Sequence, residues 1–105
     1  MFYILNAPIL TAYGTYHFAH ISVSLAQELM IQEKFTSAVG HQGTAEIISR
    51  LVNINVSVNR ITIKMQPGDS AIVFRLLERL PEGKVLSMEE LKSLPYEFGL
   101  LERVE

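Results

Sequence analysis

The spacing of apolar residues changes along this chain, and each change marks an element. Phe2–Leu5 is a short apolar run suited to a buried strand, and an irregular loop with Pro8 and Gly14 follows from Asn6 to Thr15. Tyr16–Ile21 reads as a short edge strand. From Ser22 the pattern is helical. Leu25/Leu29 and Ala26/Met30 recur at i, i+4, Ser24 and Gln27 have capping-box spacing, and the helix should end near Glu33. Phe35–Val39 is rich in β-forming residues and predicts a strand. Gly40-His41-Gln42-Gly43-Thr44 then makes a turn, and a second helix follows with Ala45, Ile48, Leu51 and Val52 on its buried face.

Beyond an Asn-rich loop at Asn53–Asn59 the alternation becomes strict. Ile61, Ile63 and Met65 fall on one side, Arg60, Thr62 and Lys64 on the other, which predicts a strand with a wet or ligand-facing side. Gln66-Pro67-Gly68-Asp69 has turn chemistry and should join it, as a hairpin, to a strand over Ser70–Leu77. Ser87 and Glu90 form a second capping box, opening a short helix that Pro95 stops, and Tyr96–Val104 supplies the last strand. Strands interleaved with two crossover helices and one hairpin give an α/β fold. The expectation is a single small domain over residues 1–105, with a mixed four- to five-stranded sheet covered by helices.

Composition narrows the functional classes. A chain of 105 residues with 49% hydrophobic content supports one core and is too short for two ordinary domains; a homodimer is compatible with its size. The absence of cysteine excludes disulfides, thiolate nucleophiles and cysteine-based metal sites. The N-terminus lacks a cationic leader, and no apolar run approaches the roughly 20 residues that span a bilayer. The expectation is a soluble cytoplasmic protein with no membrane partner. Nine Lys and Arg against eleven Asp and Glu leave no basic excess for a long nucleic acid. The helix after His41 carries Glu46 and only Arg50, which does not suit a DNA-recognition helix. A small anion held by a few placed cations stays open.

Three groups of residues offer chemistry. His41 follows Gly40 at the end of a strand and precedes a helix start, whose N–H groups and positive dipole end attract phosphate. Local pattern alone leaves two readings of His41, a helix cap or turn residue in solvent, and a side chain beside an anion site. Arg79 and Glu82, in Arg79-Leu80-Pro81-Glu82-Gly83, form either a surface ion pair or a phosphate-gripping guanidinium with a carboxylate that positions it. Arg60 projects from a polar strand face. His17 and His20, three apart in an extended segment, point to opposite faces, and no metal-ligand spacing occurs, so no metal or other cofactor is expected.

Taken together, several blocks resemble the viral anti-CRISPR ring nucleases and their bacterial YddF-like relatives. They are Tyr3-Ile4-Leu5-Asn6-Ala7-Pro8-Ile9-Leu10, the run from Phe35 to Glu46 containing Gly40-His41-Gln42-Gly43-Thr44-Ala45, Val58-Asn59-Arg60-Ile61, Arg79-Leu80-Pro81-Glu82-Gly83, and Tyr96-Glu97-Phe98-Gly99-Leu100-Leu101-Glu102. The resemblance spans essentially the whole chain. It implies a homodimer that binds cyclic tetra-adenylate, the second messenger of type III CRISPR immunity, across its two-fold axis and degrades it without metal. It also implies that His41 is catalytic with Arg79 and Glu82 in support, and that Asn6, Thr11, Thr44 and Arg60 line the pocket. Gly43 stands where many relatives carry alanine. A dimeric module that binds or sequesters a cyclic oligonucleotide without cutting it is the alternative implied by the same pocket.

Overall fold

In the computed structural model, which describes residues 1–7, 12–77 and 87–105, side chains divide between two faces of one sheet by strand parity. The strands are β1 (Phe2–Leu5), β2 (Tyr16–Ile21), β3 (Thr36–Ser37), β4 (Ser70–Leu76) and β5 (Tyr96–Arg103). They run in the order β2-β5-β4-β1-β3. β1 pairs in parallel with β3 and with β4, whereas β5 is antiparallel to β4 and to β2. The sheet is therefore mixed, and β1, β3 and β4 release the chain at a shared carboxyl edge.

One face carries Phe2, Ile4, Ile72, Phe74 and Phe98, and it is covered by all three helices, α1 (Val23–Gln32), α2 (Gln42–Val52) and α3 (Met88–Ser93). α1 contributes Ala26 and Met30, α2 contributes Ala45, Ile47, Ile48 and Val52, and α3 contributes Leu91. Phe74 packs at a tilt against Phe98 with ring centroids 5.1 Å apart and stacks against Tyr96 at 5.8 Å, which locks β4 to β5 beneath the helices. The opposite face carries Leu5, Ala71, Val73 and Leu101, with Ala38 and Met65 buried against them. Helices thus cover one face of the sheet and an irregular segment covers part of the other.

That segment corrects the predicted strand over residues 60–65. After α2 the chain passes Val56 into the helix-covered core, rounds the outer edge of β3, and lays Ile63 and Met65 across the far face before entering β4. It cannot pair with β4 as a hairpin would, because β4 already has β1 on one side and β5 on the other. Residues 66–69 do form the expected turn, with Gly68 at φ +93° and Asp69 N–H donating to the Gln66 carbonyl at 2.9 Å. It is not a hairpin turn, since what precedes it is not a strand.

The helix starts differ in a smaller way. Ser22, not Ser24, caps α1, accepting the Leu25 N–H at 3.1 Å, while the Gln27 side chain donates to the Val52 carbonyl at 2.8 Å and ties α1 to the end of α2. The capping box of Ser87 and Glu90 forms at α3 as its spacing requires. α2 ends where Asn53 takes the left-handed conformation at φ 56°, in which its N–H reaches the Ser49 carbonyl. β3 is shorter than Phe35–Val39, although Ala38 N–H still donates to the Ile4 carbonyl at 2.8 Å.

Candidate functional site at the start of the second helix

His41 is the N-cap of α2, and its own imidazole does the capping. Nδ1 accepts the Thr44 N–H at 3.3 Å, and the Thr44 hydroxyl lies at the same distance. An acceptor at Nδ1 places the ring proton of neutral His41 on Nε2. The residue is exposed, and the first turn of α2 contains no acidic side chain to offset the positive end of the helix dipole. Gln42, the first helical residue, turns its amide along the helix to Glu46 Oε1 at 3.0 Å. His41 is therefore a helix cap that faces solvent at an electropositive helix start.

Gly40 does not work as its position suggested. Its backbone is not left-handed, and an added Cβ would lie 3.5 Å from Arg60 Cγ, an ordinary contact. What Gly40 supplies is its carbonyl, which receives Arg60 Nε at 2.7 Å. Arg60 reaches the turn from the segment that rounds β3, not from a strand. Its Nε is committed to Gly40, so the Nη groups are the donors left to face an anion.

The supporting contacts lie on the outer edge of β3. Residues 37 and 39 turn their carbonyls away from β1, and Asn59 takes both, through Nδ2 to Ser37 and through its backbone N–H to Val39, each at 2.7 Å. The Ser37 hydroxyl donates to the Ser57 carbonyl at 2.6 Å. Asn59 was recognisable in the sequence only as a neighbour of Arg60. Nothing in its spacing signals that its amide stands in for a ladder bond.

The structure brings His41, Thr44 and Arg60 together. Asn6 follows directly from β1, the strand beside β3, and is half-buried at the same carboxyl edge. Thr11, Arg79 and Glu82 lie outside the described residues; β4, which precedes Arg79 and Glu82 in sequence, ends at that edge. His17 and His20 sit on opposite faces of β2, with His17 Nδ1 3.8 Å from a Glu102 carboxylate oxygen. Among the described residues no cluster of His, Asp and Glu could hold a metal, and no helix is long and apolar enough to cross a membrane. A shallow depression lined by Phe18, His20, Arg75, Glu97 and Gly99 lies on the helix-free face across β2, β5 and β4, and β1 separates these strands from β3.

A profile of the STIV B116-like family matches residues 2–98. Protein 26 of Sulfolobus islandicus filamentous virus, described as uncharacterized, is 36% identical over 109 residues, covering 99% of this chain and 92% of that protein. YddF of Bacillus subtilis, likewise uncharacterized, is 30% identical over 103 residues and covers 96% and 95%. Among solved structures, B116 of Sulfolobus turreted icosahedral virus matches with a TM-score of 0.84 at 25% identity, over 97% of this chain and 98% of that one. The small α/β domain with a five-stranded mixed sheet is shared with that viral structure.

Proposed function

We propose, from the premise that this chain belongs to the STIV B116-like family, that it is a metal-independent ring nuclease that opens cyclic tetra-adenylate and so switches off the CRISPR nucleases this messenger activates. The observation that carries the reading is the exposed His41 imidazole at the start of α2, with the Arg60 guanidinium held beside it on the Gly40 carbonyl.

RNA carries its own nucleophile. A ribose 2′-oxygen aligned with the adjacent 3′-phosphodiester attacks phosphorus, the bond from phosphorus to the 5′-oxygen breaks, and a 2′,3′-cyclic phosphate remains. The protein must hold that geometry, offset the charge on the crowded phosphoryl group and supply a proton to the departing 5′-oxygen. His41 is the proton donor. As imidazolium it carries a proton on both nitrogens, so Nδ1 can no longer accept the Thr44 N–H. A phosphate oxygen takes that N–H in its place, together with the other free N–H groups of the first helical turn. Binding of the anion and protonation of His41 thus favour one another. Arg60 contributes its Nη donors, and the resemblance adds Arg79 on the phosphoryl charge, with Glu82 orienting Arg79 or receiving the 2′-proton. In a homodimer the two-fold axis sets one His41 at each of two opposite linkages, and the products are two dinucleotides with cyclic phosphate ends.

The test is incubation of the purified protein with cyclic tetra-adenylate, with and without EDTA. Linear di-adenylate should form equally in both. His41→Ala should still bind the ring but cleave it about 100-fold or more slower, and the parent rate should fall as rising pH removes the imidazolium that donates the proton. A ring intact after prolonged incubation with the parent protein removes the enzyme reading in favour of a sequestering module. Cleavage lost in EDTA removes the metal-free mechanism.

A further inference from the structure

The chain around β3 is held by contacts that belong to no regular element. Residues 37–40 carry the chain from β3 to His41, and a strap of residues 57–60 runs along their outer side. Asn59 takes the carbonyls of Ser37 and Val39, Arg60 takes that of Gly40, and Ser57 receives the Ser37 hydroxyl. On the inner side Ala38 N–H is fixed to β1 through the Ile4 carbonyl. The chain is also anchored just ahead of the strap, where Val56 N–H donates to Ser49 Oγ on α2 at 2.8 Å.

Within this strap Asn59 is the residue whose chemistry is least replaceable. Its backbone N–H and its carboxamide Nδ2 donate in the same direction, to carbonyls two residues apart, so one residue does what two residues of a neighbouring strand would do. The next residue is Arg60. Fixing Asn59 fixes where the Arg60 backbone starts, and the Nε bond to Gly40 then fixes the guanidinium one residue from His41. We propose that Asn59 is a positioning residue that sets Arg60 and His41 in a fixed relation around the scissile phosphodiester. This rests on the ring-nuclease reading for its chemical consequence but not for its geometry. A donor is required, because an aspartate of the same shape would turn an acceptor toward the Ser37 carbonyl.

The experiment pairs kinetics with a direct view of Arg60. Asn59→Ala, Asn59→Asp, Arg60→Ala and the double variant Asn59→Ala/Arg60→Ala are compared in single-turnover cleavage of cyclic tetra-adenylate, and the Arg60 Nε–H resonance is followed by nitrogen-15 NMR. Both Asn59 variants should lose the protected Nε–H signal and slow cleavage about 10- to 100-fold, with the double variant no slower than Arg60→Ala alone. An unchanged Nε–H signal in folded Asn59→Ala overturns the proposal, and so does a double variant whose losses multiply. A chain that no longer folds with either substitution overturns it as well, by making Asn59 a residue of the fold. If the parent leaves the ring intact, the ring-nuclease reading fails by itself, and the NMR signal still decides whether Asn59 positions Arg60.

Discussion

The imidazole of His41 occupies a place that Ser, Thr, Asp or Asn takes at most helix starts. Those residues cap with an oxygen, whereas here the capping atom is one end of an imidazole, a ring able to take up and release a proton. The sequence shows this turn and leaves the role of His41 divided, because a cap and a proton donor call for the same location. It misplaces the reason for Gly40. Glycine before a helix suggests a backbone that other residues cannot adopt, but the observed conformation is open to any of them, and the carbonyl is the part used. Gly40→Ala should therefore fold with a stability within about 0.5 kcal/mol of the parent. Chemical denaturation checks this, and a loss above about 2 kcal/mol would show that the turn does depend on glycine. Asn59 is illegible for a different reason, since a carboxamide that replaces a ladder bond leaves no periodicity behind.

Elements are legible in the sequence where their pattern has one structural meaning. The capping box at Ser87 and Glu90, the apolar stripe of α2 and the alternation in β5 each specify a local geometry that packing then accepts. Alternation over residues 60–65 has two meanings. A strand with one buried side produces it, and so does an extended segment laid across the face of a sheet in which the next strand, β4, is already paired on both sides. Only the strand order decides, and strand order is not a local property. The route of this segment starts at Ser49, whose hydroxyl receives Val56 N–H at 2.8 Å and reaches the Ala45 carbonyl at 2.8 Å. Ser49→Ala leaves a part-buried N–H without its partner and should cost about 1–3 kcal/mol. Urea unfolding measures the cost, and hydrogen exchange should show the strap loosening before α2. Exchange that rises in α2 and not in the strap would mean that Ser49 serves the helix alone.

For the whole molecule, the mixed sheet under its helices was legible because strands alternating with amphipathic helices allow few arrangements. That all three helices gather on one face was not, since the sequence does not say which way the chain turns at the end of each strand. The far face closes partly through Asp69, where the chain enters β4. Burial alone would raise its carboxyl. The amino group of Met1, at 2.8 Å, the Gln66 N–H, also at 2.8 Å, and the charge of Arg103 outweigh burial and hold it below the ordinary value of 3.8. A carboxyl so lowered stabilises the fold above its unfolded titration and loses that contribution as pH falls through its folded titration. Asp69→Asn should consequently be less stable than the parent at neutral pH, with the difference shrinking in acid below about pH 4. Denaturation midpoints across pH measure this, and a difference that stays constant with pH would assign the loss to packing. The strap around β3 bears on the molecule at this scale too. An edge strand with open carbonyls is a template for foreign strands, and crowding turns such templates into aggregates. By spending the outward carbonyls of residues 37 and 39 on Asn59, the chain blunts that border of its sheet. The helix start beside it can then stand open to solvent without inviting another polypeptide to dock as an extra strand.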